Sequence, residues 1–197
     1  MNVEEGKKNE LKTGTIRHLD EYIQDHPEEI LQGLLNYDRS IMQTARELAA
    51  KYIRAVDYKT IANSLFTSLD LIKVEDLYDT SGKTRDGYVE PAERADEMFR
   101  EVYEPYEREF QRCLKLSMNE QAMQHCMGLL LGLYTFEKES STEFADWIPD
   151  TPHECFEEVL EAWLSTDPDS ETLERMDKFI AINCRDWHAH EGGLKHG

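Results

Sequence analysis

An all-α fold is what this sequence predicts, and three observations carry the prediction. Apolar residues recur every three or four positions along most of the chain, no segment alternates with a period of two, and prolines and acids stand where helices would begin. Together they point to a single helical domain over residues 15–187, either an irregular bundle or a stack of about seven helices. Residues 1–14 and the Gly-rich 188–197 are expected to be flexible ends.

The elements follow in order. A short helical segment covers Ile16 to Gln24, and Pro27 with Glu28 and Glu29 then opens the next helix. Proline is tolerated in a first turn, and acids suit the positive end of the helix dipole. Ile30, Leu31, Leu34 and Leu35 form the side expected to be buried. Ser40 is the expected cap of a helix carrying Ile41, Ala45, Leu48, Tyr52 and Val56, and Asp57 the cap of one carrying Tyr58, Ile61, Leu65, Leu69 and Ile72. Pro91 opens a long helix with the stripe Phe99, Val102, Tyr106, Phe110, Cys113 and Leu116. Pro105 inside it predicts a kink or break, because it removes a donor and crowds the preceding turn.

Asn119 is the expected cap of a helix that is apolar nearly all round from Cys126 to Tyr134, which places it at the centre of the fold. Gly128 and Gly132, four apart, would let a neighbouring helix approach closely. Two more helices run from Pro152 to Leu164 and from Ser170 to about Trp187. The stretch LLNYDRSIMQTARELAAKYI, Leu34 to Ile53, resembles one HEAT-type helical repeat, with Ile41, Ala45, Leu48 and Ala49 where such repeats place small and aliphatic residues. Met42 stands where they carry Arg, and no second copy follows. The resemblance implies the HEAT-like form of the stack.

Asp79 to Glu90, DTSGKTRDGYVE, is a long interhelical loop in which two ligand loops are mimicked. The phosphate-binding form needs a glycine five residues before Gly82 and a buried strand before that; Leu77 and a charged segment stand there instead. A calcium loop starting at Asp79 would place Lys83 among its ligands and Thr84 at the turn glycine. Neither nucleotide nor calcium is expected here.

Charge narrows the function classes. The net charge is −19, and fourteen acids against Lys138 and Arg175 give −12 of it between Glu137 and Asp177. Such a field repels phosphate backbones, so nucleic acid is not an expected partner, save as something the acidic half could mimic, and a basic protein is the natural one. No apolar run reaches the roughly 20 residues of a membrane span, and no signal segment opens the chain, so the expected address is the cytoplasm.

Within that acidic segment lie Phe144, Trp147, Ile148, Phe156 and Trp163. Aromatics framed by acids suit a basic partner: the aromatics anchor and the acids steer. Phe144, Trp147, Glu157, Glu158 and Glu161 are the candidate contact residues of an interaction or adaptor protein. The competing reading is a small helical enzyme or metal-binding protein, since Cys184 and His188 fall four apart with His190 beside them. His125 adjoins Cys126, and His153 is two residues from Cys155, but there is no CxxC pair, no Glu-x-x-His and no GxSxG. The four spread cysteines read as reduced thiols, and no cofactor is predicted.

Overall fold

A computed structural model describes residues 19–54, 57–84 and 87–187. It is 81% helical, with one two-stranded hairpin, and the all-α class holds. The expected flexible ends, 1–14 and 188–197, lie outside the described residues. Contacts divide the chain into two compact units, Met1–Arg54 and Ala55–Gly197, where one domain over 15–187 was the expectation.

The first unit holds α1 (residues 19–25), α2 (Pro27–Tyr37) and α3 (Arg39–Arg54). Pro27 opens α2 with Glu28 and Glu29 in its first turn. Asp38 then does two jobs. Its extended backbone ends α2, while its carboxylate accepts the Ser40 N–H at 2.8 Å and its carbonyl the Met42 N–H at 3.2 Å. Ser40 is therefore already inside α3, and Asp38 takes the capping place expected of it. No residue of α2 is buried: Leu31 is 52% exposed and Leu34 43%. The buried side expected there is only half formed: Ile30 and Leu35 are half-buried, while Leu31 and Leu34 are exposed.

The second unit contains α4 (Tyr58–Asp70), α5 (Val74–Thr80), β1 (Gly82–Thr84), β2 (Gly87–Val89), α6 (Pro91–Lys115), α7 (Asn119–Glu139), a single 3-10 turn at Ala145–Trp147, α8 (Thr151–Leu164) and α9 (Ser170–Asn183). Of the two expected arrangements it adopts the irregular bundle. α7 is the centre, packed against α4, α6, α8 and α9. Leu129, Leu130, Leu133, Cys126, Met123 and Phe136 are all at most 1% exposed. The close approach expected at the two glycines is present. A Cβ on Gly128 would stand 2.6 Å from Ile61 Cβ, and one on Gly132 2.9 Å from Leu65 Cδ2, so α4 lies directly on the glycine edge.

Asp57 caps α4 as expected, its carboxylate accepting the Thr60 N–H at 3.2 Å. Asn119 does not cap α7: it is the first helical residue, and Met118 before it offers no side-chain bond, with the chain turned there by Ser117 at φ 54°. α6 runs unbroken through Pro105. Phe99 and Tyr103 before it and Phe110 and Cys113 after it are buried on one stripe, and that packing outweighs the one lost backbone bond.

Strands were not expected, yet β1 and β2 pair antiparallel with Gly82 opposite Val89 and Thr84 opposite Gly87. Gly82 (φ 75°) and Gly87 (φ 141°) adopt backbone angles that other residues rarely reach. The Gly-Lys-Thr run is thus an extended strand, whereas in a phosphate-binding loop it would open a helix. α9 ends at Asn183, earlier than expected, and helix resumes at 185–187, which seats Trp187 (4% exposed) on the core.

Candidate functional site

α8 separates the acidic and aromatic residues of its segment onto opposite sides. Cys155, Phe156, Val159, Leu160 and Trp163 point inward, each at most 3% exposed. Glu154, Glu157, Glu158 and Glu161 are exposed, and their spacing of three, one and three residues puts all four on one helical face. The inward aromatics form a connected group. Phe156 and Trp187 meet edge to face at 4.7 Å, Trp187 meets Tyr134 at 5.2 Å, and the His153 ring stacks parallel to Phe156 at 6.3 Å.

The turn before α8 divides the remaining candidates. Phe144 is fully buried and Ile148 3% exposed, so both belong to the core, and Phe144 is not the surface anchor the sequence suggested. A segment this acidic carries few apolar residues, and the bundle uses nearly all of them to close its end. Trp147 is the exception: half-buried, it rests edge to face on the exposed Tyr78 at 6.1 Å. Ser140, Thr142, Asp146 and Pro149 line a recess of about 380 Å³ beside it.

α6 lies alongside α8, and polar bonds join them. Asp96 Oδ1 accepts from Thr151 Oγ1 at 3.0 Å, Asp96 Oδ2 accepts from Arg100 Nε at 3.0 Å, and Arg100 Nη1 is 3.8 Å from Glu158. A groove of about 380 Å³ follows the same flank of α6, with Asp96, Glu97, Glu101, Glu104 and Glu107 set against the single Arg100, and Tyr103 also lining it. The sequence reading drew no surface from these acids. The spacing 96, 100, 103, 107 is the signal that finds this stripe, once α8 is known to face it.

The alternative metal reading finds Cys184 fully buried with its thiol 3.9 Å from the Leu130 carbonyl oxygen, on the core side of α9's end. His188 and His190 lie outside the described residues. Among the described residues no three His, Cys, Asp or Glu side chains gather as metal ligands do. All four cysteines are buried and unlinked. Burial pushes the Cys155 and Cys184 thiols up to about 12 and raises Cys126 and Cys113 too. The thiol, not the nucleophilic thiolate, is the form that burial favours. No helix among the described residues is long and apolar enough to cross a membrane.

No protein-family model, curated protein or solved structure matches the chain. The class that the fold and this surface define is an all-α bundle with one strongly acidic flank.

Proposed function

We propose that the second unit is an interaction module of the cytoplasm that holds a basic protein against the flank built by α6 and α8. The observation that carries this reading is the exposed stripe Glu154, Glu157, Glu158 and Glu161, for which Arg100, 3.8 Å from Glu158, is the one Lys or Arg in ion-pair range among the described residues. Four carboxylates on one face repel each other, and a basic surface laid on them relieves that repulsion. Trp147, half-buried at the turn that leads into α8, is the aromatic contact of the same surface.

The test takes a partner recovered from source cells, purified, and follows its association by stopped flow. Association should slow steeply with added salt, and Glu157→Gln, Glu158→Gln and Glu161→Gln together should slow it by roughly an order of magnitude. Trp147→Ala should speed dissociation. Association that ignores both salt and the triple substitution would remove this surface from consideration.

A further inference from the structure

The groove on α6 contains one arginine already held and room for another. Asp96, Arg100, Tyr103 and Glu107 follow one another at intervals of four, three and four residues, which aligns them on the flank that faces α8. At the first half of the stripe the charges are matched: Arg100 lies between Asp96 at 3.0 Å and Glu158 at 3.8 Å. Other acids of the groove are matched as well, Glu97 and Glu101 by Arg94 at 3.0 Å each and Glu104 by Arg108 at 2.7 Å. The second half of the stripe is not. Among the described residues, half-buried Glu107 has no ion pair within 4 Å, and the Tyr103 hydroxyl, on a side chain only 2% exposed, has no hydrogen-bond partner.

The contrast with Tyr106 makes the Tyr103 hydroxyl notable. Three residues further along the helix, the Tyr106 hydroxyl lies 2.9 Å from Ser64 Oγ and 2.8 Å from Ser68 Oγ, so this bundle does supply partners for a tyrosine on α6. A buried hydroxyl without a partner is costly, because it loses its hydrogen bonds to water and gains none in their place. Glu107 shares the difficulty: burial raises its carboxyl pKa, Glu158 and Glu104 add to the rise, and Arg100 only partly opposes it. An unmatched carboxylate next to an unmatched hydroxyl asks for a group that donates several hydrogen bonds and brings positive charge.

We propose that the α6 groove is a pocket for an arginine side chain of the basic partner, whose guanidinium donates to the Glu107 carboxylate and to the Tyr103 hydroxyl oxygen. This rests on the reading of the flank as a basic-protein surface and gives that surface its specific contact. A guanidinium suits the site better than an ammonium, because its separate nitrogens reach an acidic and a hydroxyl acceptor at once, as Arg94 does on the same helix, its Nε donating to Thr80 Oγ1 at 3.2 Å while its Nη1 donates to Glu97 and Glu101.

The experiment titrates the full chain calorimetrically with acetyl-triarginine amide, and in parallel with the trilysine and tricitrulline peptides and with spermidine. Triarginine should bind best and tricitrulline, which keeps the shape and loses the charge, should not bind. Glu107→Gln should weaken triarginine about tenfold, the loss of one charge-assisted bond. Tyr103→Phe should weaken it severalfold while leaving the thermal midpoint unchanged or higher, since the hydroxyl it removes has no partner among the described residues. A purely structural tyrosine would not show that pair of results. Triarginine bound equally by wild type and both variants, but lost on neutralising Glu157, Glu158 and Glu161, overturns the pocket and leaves the acidic surface standing. Spermidine binding more tightly than triarginine overturns the peptide occupant in favour of a free polyamine. No triarginine binding at all overturns the pocket, and the salt dependence of the whole partner then decides the broader reading separately.

Discussion

α7 and α8 lie against each other in the same unit, and they are built on opposite plans. α7 has no polar face from Cys126 to Leu133 and buries all of that stretch but Leu131, which is half-buried; α8 sends Phe156, Leu160 and Trp163 inward and four glutamates outward. The difference teaches where this chain places its energy. Hydrophobic burial runs through α7 and the inner faces of α6 and α8, while the four glutamates of α8 lie exposed, where charge ordinarily contributes little to folding. Stability and recognition are therefore separable on α8, one side for each.

Substitutions can break or sharpen that separation. Phe156→Ala removes an aromatic that touches His153 and Trp187 from inside α8, and should cost about 3–5 kcal/mol in chemical denaturation. A loss below about 1 kcal/mol would mean that the inner face of α8 is only loosely engaged. Gly128→Ala tests α7 from its tightest side. The added methyl meets Ile61 Cβ at 2.6 Å and the Tyr58 carbonyl oxygen at 3.0 Å, neither the end of a flexible side chain, so α4 must shift, at about 1–3 kcal/mol. A stabilising effect, as alanine for glycine gives in an open helix, would show that α4 can move outward freely. Glu161→Gln, on the outer face of α8, should change stability by less than about 0.5 kcal/mol in the same assay. A larger change would show that the acidic stripe serves the fold as well as the surface.

Much of this plan is legible in the sequence, and the illegible parts share a physical cause. Pro27, Asp57 and Pro91 mark helix starts because local backbone chemistry alone decides them. The burial of α7 is legible because a helix without a polar face has only one place to go. The hairpin is not, since three residues per strand are too few for a period to show and its angles depend on Gly82 and Gly87. α5 escapes for a similar reason: Val74–Thr80 is seven residues long, largely charged, and buries only Leu77. Pro105 does not break α6, because a local cost is set against packing that no local rule can see.

At the candidate site the acids of α8 are legible as charge, while the fates of Phe144 and Trp147, three residues apart, are not. One closes the end of the core and the other lies half in solvent, a choice made by the turn of Ala145–Trp147. The α6 stripe needed a neighbour to become visible. Glu107 on its own is one glutamate among many, and only the partnerless hydroxyl of Tyr103 singles it out.

The buried thiols give the molecule a set of internal clocks. Cys113 lies on α6, Cys126 on α7, Cys155 on α8 and Cys184 at the end of α9, so the central helix and three of those around it each carry one buried thiol, while α4 carries none. A thiol-directed reagent can modify each site only during the moments when its own helix opens, and the rate at which each is consumed reports how often that happens. Four native residues thus allow the opening of individual helices to be timed in the unmodified sequence, with the central Cys126 as the slow reference against which the outer walls are read.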